Sequence, residues 1–66
     1  MKNIIHVLRA EQRWSQAELG ARVGVSRQAI NAVETGKHDP SLALAFKIAE
    51  AFDRRIEDVF DPRAPG

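Results

Sequence analysis

Apolar residues recur along most of the chain at the three- and four-residue spacing of an α-helix. In the first stretch Ile4, Ile5 and Leu8 form such a stripe, and Val7 is less regularly placed. A stripe of this period lets a helix bury one face while its other faces stay in water. The pattern predicts five helices, which span residues 2–12, 16–23, 27–35, 42–52 and 56–60.

The second and third of these helices are joined by a very short connection with a capping residue at each boundary. Ser15, with Glu18 three residues later, matches a capping box, so a helix starts directly after it. Gly24 lies where the end of that helix needs a left-handed backbone, and Ser26 can cap the next helix. Two helices this close in sequence cannot lie antiparallel, so residues 16–35 are predicted to form a helix-turn-helix.

The second half of the chain is predicted to support this motif. Ser41 can cap a fourth helix over residues 42–52, whose many alanines permit close approach of its neighbours. We expect this helix to lie at the centre of the core. Two prolines near the end of the chain prevent any helix from continuing there. The sequence therefore predicts one domain over residues 1–60 and a short flexible C-terminal tail over residues 61–66.

The composition excludes several kinds of chemistry. Cysteine is absent, and His6 and His38 lie far apart in sequence, so neither a disulfide nor a metal site is predicted. No paired nucleophile and base and no phosphate-binding loop is visible, so we expect no enzyme activity and no cofactor. The first residues carry only short apolar runs, and no signal peptide or membrane span is predicted. These observations favour a protein of the cytoplasm.

Charge is unevenly distributed, although the net charge is only +1. Residues 1–38 carry six basic and three acidic side chains, which gives a net charge of +3. Residues 39–66 carry four basic and six acidic side chains, which gives a net charge of −2. If the partner is a polyanion, the first half of the chain is therefore expected to face it.

The helix-turn-helix stretch resembles a known family of DNA-binding proteins. The segment PSLALAFKIAEAF followed by IEDVF is similar to the short, stand-alone bacterial regulators of that family, such as the cytolysin repressor. The resemblance covers about residues 3–60 and implies an all-α, compact five-helix, lambda-repressor-like domain. The residues that match the spacing of the phage-repressor type (Xre/Cro-like) helix-turn-helix are Gln16, Leu19, Gly24, Val25, Ser26, Ile30, Glu34 and Gly36.

The resemblance also implies roles for individual side chains. Arg27, Gln28 and Asn31 match positions that reach base edges, and their spacing places them on neighbouring faces of one helix. Arginine suits guanine O6 and N7, whereas glutamine and asparagine suit adenine N6 and N7. Arg9 and Glu34 match a structural ion pair between the first helix and the end of the third. The implied phosphate contacts are Gln16, Ser26, Thr35 and Lys37.

We expect a transcriptional repressor whose recognition helix, from Arg27 to Thr35, enters the major groove of double-stranded DNA. One such helix reads only a few base pairs, so a homodimer is expected on an operator with two half-sites about 34 Å apart. Its interface is expected to use Ile56, Val59 or Phe60 of the fifth helix, or the first helix. The expected location is the bacterial cytoplasm or nucleoid, and no small-molecule ligand is predicted.

Two other functions fit the same residues. An antitoxin or a restriction–modification controller uses such a domain to regulate its own synthesis. A helical protein-interaction module can keep the fold without reading DNA, and it would show no salt-dependent affinity for DNA.

The sequence departs from the family pattern at two positions of the motif. Gly20 stands where the family usually has alanine, which lowers the stability of the second helix by about 1 kcal/mol unless close packing requires glycine. Ala32 offers no hydrogen bond at a position that some relatives use for base reading, although it can touch a thymine methyl group.

Overall fold

The computed structural model describes residues 1–63 and contains the five predicted helices. Two very short strands accompany them and pair in an antiparallel sheet. In chain order the elements are β1 (Lys2–Asn3), α1 (Ile5–Gln12), α2 (Gln16–Val23), α3 (Arg27–Glu34), α4 (Leu42–Ala51), α5 (Ile56–Val59) and β2 (Phe60–Asp61).

Each helix contributes at least one side chain to a single apolar core. Ile5, Leu19, Ile30 and Ile48 are fully buried, and Val59 closes the core from α5. No buried residue of the described chain is polar or charged. Burial of one large aliphatic side chain stabilises a fold by about 1.5–3 kcal/mol, so this core is the main source of stability.

Serine hydroxyls cap the starts of α2, α3 and α4, as the sequence predicts. The Oγ atoms of Ser15, Ser26 and Ser41 each accept a hydrogen bond from the backbone N–H three residues later, at 3.0, 3.1 and 3.1 Å. The Glu18 carboxylate, which a full capping box would turn back toward Ser15, lies instead 3.0 Å from Nε of Arg22. These caps fix the start of α2, α3 and α4.

The two ends of the domain differ from the prediction. The first helix begins at Ile5 and not at residue 2, because Lys2 and Asn3 pair with Asp61 and Phe60 as β1 and β2. Asp61, which the prediction assigns to the tail, is thus paired in this sheet. Asn3 Oδ1 accepts a hydrogen bond from the Ile5 N–H at 3.1 Å, which starts α1 at that point. The last part of the predicted tail, residues 64–66, lies outside the described residues.

Two of the three apolar residues expected at a dimer interface near α5 are buried in the core. Val59 and Phe60 are only 2% and 5% exposed, because they pack into the core. Ile56 is partly buried against the same core. The large apolar side chains that do reach the surface are Ile4, Val7, Leu42 and Phe46.

Trp14, the single tryptophan, connects the α1–α2 link to α4. Its ring stacks on Phe52 with 5.3 Å between ring centroids, and the Arg22 guanidinium carbon lies 4.1 Å from the Trp14 ring centroid. A cation over an aromatic face is favourable. Trp14 therefore packs the α1–α2 link against α4.

Within residues 1–63 no helix is long and apolar enough to cross a membrane.

Candidate nucleic-acid interface

The turn between α2 and α3 brings the two helices into close backbone contact. Gly24 ends α2 with a φ of 80°, in the left-handed region that glycine adopts without a steric cost. Gly20 faces the turn, and a Cβ built there would lie 2.6 Å from the Val25 carbonyl oxygen. The absence of a side chain at residue 20 thus lets the turn and the start of α3 approach α2. This explains the departure from the alanine of the family pattern.

The exposed face of α3 carries the predicted base-reading residues. Arg27, Gln28 and Asn31 are exposed, while Ile30 and Val33 on the opposite face are 0% and 5% exposed in the core. The exposed face opens onto a shallow depression of about 500 Å³. It is lined by Arg27, Gln28, Ala29, Asn31, Ala32, Lys37 and His38.

An ion pair ties α1 to the end of α3. Arg9 Nε donates to Glu34 Oε2 at 2.6 Å, and Arg9 Nη2 donates to Glu34 Oε1 at 3.0 Å. Arg9 Nη1 also donates to the Trp14 carbonyl oxygen at 3.0 Å. The two charged side chains are 19% and 7% exposed. The hydrogen bond to Glu34 raises the pKa of Arg9 above its ordinary value, so the Arg9 guanidinium stays protonated.

Gln16, at the first position of α2, extends this ion pair toward the exposed face of α3. Its Nε2 donates to Glu34 Oε1 at 3.4 Å and to Asn31 Oδ1 at 3.1 Å. The side chains of Arg9, Glu34, Gln16 and Asn31 thus form one hydrogen-bonded series. Three helices meet in it, and its last member is exposed.

The four residues predicted to bind phosphate differ in whether their side-chain donors are already used in hydrogen bonds within the protein. Ser26 Oγ accepts the capping bond from Ala29 N, so its own hydroxyl proton can still be donated outward. Thr35 Oγ1 donates to the Asn31 carbonyl oxygen at 2.9 Å, so its proton is used within α3. Lys37 is exposed beside the depression, and the Gln16 side chain takes part in the series above.

Sequence reasoning missed two features of this surface. His38 lines the depression, and its position directly after Lys37 is the only sequence signal for that. The Gln16–Asn31 hydrogen bond joins residues 15 positions apart and depends on how α2 crosses α3, so no local sequence pattern predicts it. Among residues 1–63 no group of histidine, aspartate or glutamate side chains is arranged to hold a metal ion.

The chain is similar to transcriptional regulators of archaea and bacteria. It is 53% identical over 60 residues to an uncharacterised HTH-type transcriptional regulator of Methanocaldococcus jannaschii, and the match covers 91% of each chain. It is 52% identical over 60 residues to the uncharacterised HTH-type transcriptional regulator YgzD of Bacillus subtilis, again over 91% of each chain. These relatives are regulators and not enzymes.

Solved structures with the same fold include a repressor bound to DNA. The P22 c2 repressor in complex with a synthetic operator matches with a TM-score of 0.77 and 28% identity, over 80% of each chain. A hypothetical transcription factor from Neisseria, NHTF, matches with a TM-score of 0.77 and 28% identity, over 82% of this chain and 61% of the other. The family model described as Helix-turn-helix matches residues 5–59. The chain therefore belongs to the helix-turn-helix family of the Xre/Cro type, the family of DNA-binding transcriptional regulators.

Proposed function

We propose that the protein is a sequence-specific transcriptional repressor that reads the major groove with α3. The observation that carries this proposal is the two-sided character of that helix. One face is fixed in the core by Ile30 and Val33, and the other presents Arg27, Gln28 and Asn31 on one open surface. Side chains with several hydrogen-bonding groups on a rigid, exposed helix match the requirements of direct base readout.

Each residue of the interface has a distinct role in this proposal. Arg27 donates two hydrogen bonds to guanine, and Gln28 pairs with a neighbouring base edge. Lys37 and the Ser26 hydroxyl bind phosphates and set the register of the helix on the duplex. The main-chain N–H of Gln16, at the start of α2, offers a further donor to phosphate. Thr35 contributes only if its hydroxyl leaves the Asn31 carbonyl oxygen.

Repression follows from occupancy of the operator. The neighbour of this fold that was crystallised on a synthetic operator is itself a repressor. A bound domain of this size excludes other proteins from the same stretch of duplex. The protein acts where the chromosome lies, in the cytoplasm or nucleoid.

Two copies are needed for useful affinity, and α4 offers the surface for their contact. Leu42 and Phe46 are 71% and 50% exposed and lie one helical turn apart on the same face. They are the two most exposed large apolar side chains of residues 1–63, ahead of Val7 and Ile4 at the first helix with 42% and 41%, so we assign the interface to α4. We propose that this face meets its own copy and that the two α3 helices of the dimer bind successive half-sites, which lie about 34 Å apart on DNA.

Light scattering combined with size exclusion tests the dimer on operator DNA. The Phe46→Glu variant is expected to bind one half-site as a monomer and to lose at least about tenfold in affinity for the full operator, because the second copy no longer assists. Ala43→Glu places the same charge on an exposed position of the same helix and serves as the control. A Phe46→Glu protein that still binds as a dimer would place the interface elsewhere.

Selection of bound duplexes from a random pool tests the function as a whole. We expect a two-fold repeated half-site of a few base pairs and an affinity that falls steeply with salt concentration. A protein that binds random and selected duplexes equally would not be a sequence-specific regulator. If no salt-dependent binding is found at all, the fold serves a protein-interaction role instead.

A further inference from the structure

His38 lies on the same surface as the residues assigned to base reading. It is exposed and lines the depression of about 500 Å³ together with Arg27, Gln28 and Asn31. The base and phosphate contacts proposed above do not include it. A histidine ring has two nitrogens, and both are hydrogen-bond donors when the ring is protonated. The position and the chemistry of His38 therefore suit a contact with an anion at this surface.

The backbone at His38 is attached to α3. The N–H groups of Lys37 and His38 both donate to the Ala32 carbonyl oxygen, at 2.9 and 3.2 Å. Gly36 allows the chain to turn back in this way, because its φ of 78° lies in the left-handed region. Ala32 is part of α3, so the backbone of His38 keeps a fixed place relative to that helix. A duplex bound by α3 therefore meets His38 at a constant position.

The electrostatic surroundings of His38 favour an anion. Arg27 on α3 and Lys37 in the following loop are exposed cations that line the depression with it. Among the described residues that line the depression, none is acidic. Within residues 1–63 no hydrogen bond or ion pair uses the His38 ring, so both ring nitrogens can meet a ligand.

The acidic side chains nearest to His38 along the chain are each paired with another group. The Glu34 carboxylate accepts hydrogen bonds from Arg9 at 2.6 and 3.0 Å. Asp39 Oδ1 lies 3.6 Å from the Met1 amine. An external anion therefore does not have to displace an ion pair of the described chain to reach the His38 ring.

We propose that His38 in its protonated form binds a DNA phosphate beside the one bound by Lys37, so that the protein binds DNA more tightly as the pH falls. Histidine is the side chain that changes its charge between pH 5 and 8. A phosphate within hydrogen-bond distance stabilises the charged ring, so DNA binding takes up a proton. The contact is then present at low pH and is lost as the pH rises. This inference rests on the proposed reading of DNA by α3.

Binding of the selected duplex at two pH values tests the proposal. At constant salt concentration we expect the wild-type protein to bind at least about fivefold more tightly at about pH 5.5 than at about pH 8. The slope of log affinity against log salt concentration should be steeper at the lower pH by about 0.9 for each bound copy, because one more phosphate is neutralised. Equal affinities on a duplex that is bound specifically would overturn the proposal and leave the proposed function intact. The absence of specific binding at both pH values would remove the function itself.

Three variants test whether His38 is the source of the effect. His38→Gln keeps a hydrogen-bonding side chain but gains no proton, so the effect of pH should fall below about twofold. His38→Arg carries a permanent charge, so at pH 8 it should bind within about twofold of the wild-type affinity at pH 5.5. His6→Gln is the matched control, because His6 is the other histidine and is exposed on α1, and it should keep the full effect. An effect of pH that persists in His38→Gln would overturn the proposal.

Calorimetry supplies a readout that a purely structural role of His38 would not change. The enthalpy of DNA binding, measured in two buffers with different ionisation enthalpies, gives the number of protons taken up. Near pH 7 the wild-type protein should take up protons on binding, and His38→Gln should take up fewer. Thermal unfolding of both proteins, followed by Trp14 fluorescence at both pH values, should coincide, because His38 is exposed. Equal proton uptake by the two proteins would overturn the proposal.

Discussion

The two halves of α3 are held in the fold by different means. Toward its C-terminal end, side chains hold it, because Arg9 binds Glu34 and Gln16 binds Asn31. At its N-terminal end the backbone is held, because the turn at Val25 lies against the bare Cα of Gly20. In the described part of the chain, neither of the first two side chains of α3 makes a hydrogen bond or ion pair with another side chain.

This difference in attachment affects how freely the side chains at the two ends of α3 can move. A helix end that is fixed through its backbone keeps its side chains unconstrained, so Arg27 can rotate to meet a base in the best geometry. A helix end that is fixed through its side chains has some of its hydrogen-bonding capacity already committed. The Asn31 side chain is pre-oriented for that reason, which lowers the conformational entropy that it would lose in the proposed contact with DNA.

Loss of the side-chain attachment should have the largest effect on stability. We expect Glu34→Ala to lower the free energy of unfolding by about 3 kcal/mol, because the Arg9 guanidinium is left largely buried without its partner. Urea denaturation followed by Trp14 fluorescence measures this, since Trp14 stacks on Phe52 in the folded state. Glu11→Ala breaks the exposed pair with Arg54 and should cost less than about 1 kcal/mol. Equal losses in the two variants would contradict the importance assigned to the inner pair.

Loss of the backbone attachment should have an intermediate effect. Gly20→Ala gains about 1 kcal/mol of helix propensity. The added Cβ meets the Val25 carbonyl oxygen, however, and a backbone atom cannot rotate away as a side chain can. Overpacking of this kind costs about 1–3 kcal/mol, so we expect a net loss of about 1 kcal/mol in thermal unfolding and a displaced start of α3.

Gly24→Ala is the comparison for this variant. No atom lies within 4 Å of a Cβ at that position, but the φ of 80° is strained for alanine. Its cost should be about 1 kcal/mol and should arise without any shift of α3. A Gly20→Ala protein more stable than the wild type would mean that the Val25 carbonyl group can move away from the new Cβ at little cost in free energy.

A change at the unconstrained end should have the smallest effect on stability and a clear effect on DNA. Arg27→Ala should change the free energy of unfolding by less than about 0.5 kcal/mol, because its side chain is exposed. It should lose about 1–3 kcal/mol of discrimination at one base pair in competition binding. Lys37→Ala should weaken every duplex alike and reduce the salt slope by about 0.9. Equal loss of Arg27→Ala on specific and random duplexes would remove Arg27 from the base-reading set.

Local patterns predicted most of the helical framework. The three serine caps and the glycine at the α2–α3 turn act over a few residues, so their effect is readable from the chain. The pattern does not predict which face of α4 is buried, because apolar residues lie on several of its faces. The core takes Ala45, Ile48, Ala49 and Phe52, and it leaves Leu42 and Phe46 outside, although they are as large as Ile48 and Phe52. Only the packing of the other helices decides that choice.

The remaining differences come from contacts between distant residues. The β1–β2 pairing joins the two ends of the domain, and strands of two residues are too short to show any alternation. By contrast, the spacing of Arg27, Gln28 and Asn31 on α3 does predict that they share one exposed surface. The hydrogen-bonding state of Asn31 is not evident in that way, because Gln16 and Glu34 determine it from outside the local sequence.

The pairing of Lys2 with Asp61 brings the first and last strands of the domain side by side. The chain leaves the fold within one strand spacing, about 5 Å, of where it enters. A circular permutant that joins these ends by a short linker and opens the chain at the exposed residues 53–55 should therefore keep the core and the exposed face of α3. Proteins fused directly before Lys2 and directly after Asp61 would therefore both extend from this edge of the domain.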